Sequence, residues 1–112
     1  MKNIINKSRE LTNEELYLLT MSPKSDSVKN HVGECIDVYA WVLFEDVDKK
    51  SGEVHNVLSV LTPDNEVFCS ISPTFQGDFL DMAALFNNKF AFEVIVGKSK
   101  AGREFVTCAL AI

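Results

Sequence analysis

From Val32 onward, apolar and polar residues alternate in short runs separated by turn-forming residues, a pattern of strands. Within residues 35–46, Ile36, Val38, Ala40, Val42 and Phe44 share one face, and Cys35, Asp37, Tyr39, Trp41 and Leu43 share the other. This predicts one long two-faced strand. Asp48-Lys49-Lys50-Ser51-Gly52-Glu53 predicts a turn, residues 54–61 a second strand, Thr62-Pro63-Asp64-Asn65 a tight turn, and residues 66–72 a third strand. The period then changes. Phe75, Phe79, Met82, Ala83 and Phe86 form a helical stripe, opened by Ser72-Pro73 and closed by Asn87-Asn88. Residues 90–96 and 103–112 return to strand character around the turn Gly97-Lys98-Ser99-Lys100-Ala101-Gly102.

The first 31 residues follow another pattern. Thr12-Asn13-Glu14-Glu15 reads as a capping box, followed by one or two turns through Leu16, Tyr17, Leu19 and Thr20 that end at Ser22-Pro23. Residues 24–30 are polar and linker-like. The expected organisation is therefore an N-terminal arm with a short helix over residues 1–31 and a folded domain over 32–112. Strand, strand, strand, helix, strand, strand is the order of a mainly β, five-stranded OB-fold barrel, in which the second and third strands and the loops 1–2 and 4–5 form the binding surface. A β-grasp or SH3-like barrel is the principal rival.

The chain has 112 residues, one domain's worth, and its 46% apolar content is enough for a core without a metal or disulfide staple. Cys35, Cys69 and Cys108 are odd in number and widely spaced, which fits buried thiols in a reducing cytosol and neither a disulfide framework nor a zinc site. No signal-peptide core and no apolar run of about 18 residues is present, so a membrane location is not expected and a cytoplasmic one is.

A net charge of −5 opposes nucleic-acid binding on its face. The placement of the cations changes that picture. Lys49 and Lys50 fall in the first predicted loop, and Lys98, Lys100 and Arg103 in or beside the last, the two loops an OB-fold uses to grip an oligonucleotide. The plain alternative is that turns are where charges go. Tyr39 and Trp41 lie opposite the aliphatic face of the first strand. They form either a stacking platform for bases or a surface packed under the N-terminal helix or in a dimer interface. Phe68 is a third candidate ring. His55 could stack or hydrogen-bond, or be a satisfied strand histidine.

No catalytic constellation emerges. Gly97-Lys98-Ser99 lacks the first glycine of a phosphate-binding loop, since Phe92 stands there, and a strand follows where a helix is required. His31 and His55 are isolated and show no metal or triad spacing. Asp78 and Asp81 read as the solvated side of the helix. No enzyme, cofactor, metal or small-molecule substrate is expected.

Two stretches carry a family resemblance: Leu61-Thr62-Pro63-Asp64-Asn65-Glu66-Val67-Phe68 with Ser70-Ile71-Ser72, and Val94-Ile95-Val96-Gly97-Lys98-Ser99-Lys100-Ala101-Gly102-Arg103-Glu104-Phe105. With their spacing, residues 33–110 resemble the single-stranded DNA-binding proteins of the small, protein-primed tailed bacteriophages. The N-terminal arm has no counterpart in that pattern, and Asn65 stands where glycine would ease a turn. The resemblance implies an OB-fold that coats and protects single-stranded DNA during phage replication, with self-association or replication proteins as further partners. Lys49, Lys50, Lys98, Lys100 and Arg103 would neutralise phosphates, and Tyr39, Trp41, Phe68 and His55 would meet bases. The competing expectation is an acidic protein-interaction module, or an inhibitor of a host nucleic-acid enzyme.

Overall fold

The computed structural model describes residues 3–111. It is mainly β, with eight strands in two sheets and two α-helices. In chain order these are β1 (Asn3–Lys7), α1 (Asn13–Thr20), β2 (Asp26–Ser27), a 3-10 turn (Val28–His31), β3 (Cys35–Asp37), β4 (Ala40–Val47), β5 (Val54–Leu61), β6 (Val67–Ser70), α2 (Pro73–Leu85), β7 (Ala91–Lys98) and β8 (Glu104–Leu110).

The expected meander is present: β4, β5 and β6 pair antiparallel in sequence order. They belong to a five-stranded sheet ordered β1-β4-β5-β6-β2, and a second sheet runs β3-β7-β8. The expected helix is also present. Ser72 caps it, its hydroxyl accepting from the Phe75 N–H, and Pro73 opens it, where the absent N–H costs nothing. It ends at Asn87 and Asn88, both in the left-handed region that asparagine tolerates, and the Asn88 N–H closes the helix onto the Ala83 carbonyl.

Among the described residues the strands do not close into a barrel, because β6 and β8 do not pair. The outer edge of β6 is taken by β2, which runs parallel to it. The N-terminal segment is thus woven into the fold. β1 forms an antiparallel edge on β4, α1 packs Leu19 into the interior, and Val28 is fully buried. The capping box exists as expected: Thr12 Oγ1 accepts from the Glu15 N–H, and the Glu15 carboxylate accepts from the Thr12 N–H.

The single long strand expected over residues 35–46 is broken at Val38-Tyr39. The Val38 N–H donates to Phe90 O at 3.1 Å, towards one sheet, and the Tyr39 N–H donates to Leu61 O at 2.9 Å, towards the other. This break joins the two sheets and shifts the side-chain alternation by one residue. Ile36 and Val38 face the main core before it, and Trp41 and Leu43 face that core after it. Ala40, Val42 and Phe44 are turned to the opposite side, where they meet Leu19, Leu61 and Val67 under α1. A one-residue slip exchanges the faces of everything downstream, since the strand period is two. The five-stranded sheet is consequently buried on both sides, by the main core and α2 on one and by α1 on the other.

Candidate nucleic-acid interface

The two cation-bearing turns are built by the same local chemistry. In the β4–β5 hairpin, the Asp48 carboxylate accepts from the N–H groups of Lys50 at 2.8 Å and Ser51 at 3.4 Å. These bonds hold that carboxyl below its ordinary value. Gly52 supplies the left-handed residue, at φ 75°. In the β7–β8 hairpin, Ser99 Oγ accepts from the Arg103 N–H at 3.2 Å and Gly102 takes φ 81°. Lys49, Lys50, Lys98, Lys100 and Arg103 are all exposed, as expected of turns. None of the five is ion-paired among the described residues.

The two turns have different surroundings. Lys49 and Lys50 stand among Glu45, Asp46, Asp48 and Glu53, so carboxylates outnumber cations there. Lys98, Lys100 and Arg103 share their turn with Glu104 alone.

The candidate rings are distributed differently from the expectation. Trp41 is only 4% exposed and Phe68 only 6%; both are core residues. The face shift at Val38-Tyr39 puts Trp41 inside, edge-on to Phe79 at 6.0 Å, with Nε1–H donating to Asn88 Oδ1 at 3.0 Å. Phe68 faces the same core, and the His31 ring stands edge-on to it at 4.7 Å. Burying a ring of this size stabilises the fold by roughly 1.5–3 kcal/mol, comparable to the stacking of a base, so a ring whose position reaches the core goes there. Tyr39 is exposed as expected, at 53%, but the Arg9 guanidinium lies 4.9 Å from its ring centroid, itself paired through both terminal nitrogens with Glu15. His55 is exposed, opposite Asp46 across the hairpin, with Nε2 3.5 Å from Glu53 Oε2.

Residues outside the expected set complete the basic end of the molecule. Phe105 lies across Gly97, so closely that a Cβ on Gly97 would come within 2.7 Å of the ring. Phe105 also lines a groove of about 300 Å³ together with Lys29, Ser70, Ser72 and Glu104, between β8 and the 3-10 turn. Lys29 has no carboxylate partner among the described residues. Gly97 opposite an aromatic two residues past a turn was a readable signal for this contact; the approach of Lys29 depends on long-range packing and had none. The partners of Asn88, Gln76 and His31 likewise have no local signal in the sequence. Gln76 is buried and donates to the carbonyls of Asn56 at 2.7 Å and Ser70 at 3.0 Å, pinning the root of the β4–β5 hairpin. Asp78 is exposed, as expected of the solvated side of α2, and its carboxylate also accepts from the Thr107 hydroxyl, which ties α2 to β8.

Among the described residues, no cluster of three or more His, Cys, Asp or Glu could hold a metal. No described helix is long and apolar enough to cross a membrane. No family model, curated protein or solved structure matches the chain.

Proposed function

We propose that this chain binds single-stranded DNA without catalysing a reaction, and that the β7–β8 hairpin is the centre of contact. The observation that carries this reading is one juxtaposition. Lys98, Lys100 and Arg103, without ion-pair partners among the described residues, lead directly into Phe105, which shares a groove with Lys29 and a single carboxylate, Glu104. Single strands are held by cations that follow the phosphates and rings that receive bases, and this end of the molecule has both. Tyr39 offers an exposed ring, and Lys49-Lys50 a secondary phosphate contact weakened by surrounding carboxylates. Trp41 and Phe68 act as core. The strand order also supports an OB-like reading, an incompletely closed barrel whose fifth strand leaves the third free to take β2. Coating of displaced strands in phage replication is the biological role that the resemblance of residues 33–110 suggests.

The test is anisotropy of a labelled oligo-dT titrated with the protein at several salt concentrations. Binding should weaken as salt rises, with a logarithmic slope of about −0.7 for each phosphate neutralised. Replacing Lys98, Lys100 and Arg103 together by alanine should flatten that slope by about 2. Absence of binding at low salt would overturn the reading. The acidic β4–β5 hairpin favours a second reading, a protein-interaction module or an inhibitor of a host nucleic-acid enzyme, in which the triple variant would retain function.

A further inference from the structure

The two long hairpins carry opposite charge. In β4–β5, Glu45, Asp46, Asp48 and Glu53 outnumber Lys49 and Lys50; in β7–β8, Lys98, Lys100 and Arg103 outnumber Glu104. Each hairpin also bares aliphatic surface beside its charges. Val47 and Val54 pair across the first and are 56% and 57% exposed. Val96, paired with Val106 across the second, is 45% exposed. The carboxylates of the first hairpin leave the cations of the second unpaired within one molecule, since no ion pair joins the two among the described residues.

From these observations we infer that the chain associates head to tail with further copies of itself. The acidic β4–β5 hairpin of one copy seats on the basic β7–β8 hairpin of the next, with the Val47–Val54 pair against Val96. Such a contact joins two different surfaces, so each added copy presents a fresh acidic hairpin at one end and a fresh basic hairpin at the other. Charge on both sides sets the orientation, and like-charged pairings are disfavoured. The exposed valines add a small apolar contact that the charged rim surrounds.

The experiment is sedimentation equilibrium of the full chain without nucleic acid, so its failure leaves the DNA reading untouched. At low salt the average mass should rise with concentration beyond a dimer. It should fall to that of the monomer at high salt, as the Debye length shortens from about 10 Å at 0.1 M to about 3 Å at 1 M. Two variants then test the pairing: K98E/K100E makes both hairpins acidic, and E45K/E53K makes both basic. Each alone should remain monomeric while melting like the native chain, and an equimolar mixture should associate again. A native chain that stays monomeric at low salt, variants that associate as the native chain does, or a mixture no heavier than its components would overturn the inference.

Discussion

The Trp41 indole donates its Nε1–H to Asn88 Oδ1 at 3.0 Å, and the Asn88 amide in turn donates to Ser8 O at 3.1 Å. Ser8 closes the loop. Its hydroxyl accepts from the Trp41 N–H at 3.0 Å, and its own N–H donates to Trp41 O at 3.0 Å. One asparagine therefore joins the end of α2, the start of β4 and the segment after β1. A buried indole N–H needs an acceptor, and Asn88 is placed for it by the left-handed turn that ends the helix.

Asn88→Ala should destabilise the fold by about 1–3 kcal/mol, because it removes that acceptor and the donor to Ser8 together. Urea unfolding of the native and variant chains measures the difference. An unchanged midpoint would show that the network is dispensable.

Trp41 emission should lie to the blue in the native chain and move to the red on unfolding. Titration with oligo-dT should leave its intensity nearly unchanged, because no base can reach the ring. Strong quenching on binding would place Trp41 at the interface, contrary to its burial.

His31 should make stability fall as pH rises. Nδ1 lies 2.7 Å from Glu34 Oε2 and Nε2 lies 2.8 Å from Asp26 Oδ2. Only the imidazolium donates from both nitrogens. The hydrogen bond to Asp26, and secondarily that to Glu34, raise the His31 pKa above its ordinary 6.5. A raised folded value means the contribution is complete below about 6.5 and is lost as pH rises through the raised pKa. Denaturant midpoints should therefore decline over that window in the native chain and not in His31→Gln.

Glu15 should act at the opposite end of the scale. Its hydrogen bonds to the Arg9 guanidinium and the Thr12 N–H push its carboxyl down from 4.5 to about 2. With the folded value lowered, the contribution is present above about 4.5 and disappears as pH falls towards 2. Thr12→Ala, which removes the other half of the capping box, should cost about 1 kcal/mol at neutral pH. Thermal or urea unfolding across the acid range checks both.

Gly97→Ala should destabilise by about 1–3 kcal/mol, since the new methyl overlaps the Phe105 ring. Adding Phe105→Leu should recover part of that loss. In the DNA reading, each of the two variants should also weaken oligo-dT binding, because each disturbs the ring beside the basic turn.

Much of the architecture follows from short-range pattern. The meander, the Ser72-Pro73 helix start, the Asn87-Asn88 stop, the two glycine-closed turns and the Thr12–Glu15 capping box are all set by residues within a few positions of one another. The exposure of Lys49, Lys50, Lys98, Lys100 and Arg103 follows from the same turns. The N-terminal segment reads differently in the fold because Leu11, Leu18, Leu19 and Val28 find partners more than ten positions away.

The sequence by itself determined that this is a mainly β chain with a helix before its last hairpin, because periods of two and 3.6 are local properties of the backbone. Only the tertiary structure decided which face of each strand is inside. The one-residue slip at Val38-Tyr39 has no marker in the alternation, yet it carries Trp41 into the core and leaves Tyr39 outside. It arises where one strand must serve two sheets, a demand set by partners distant in the chain.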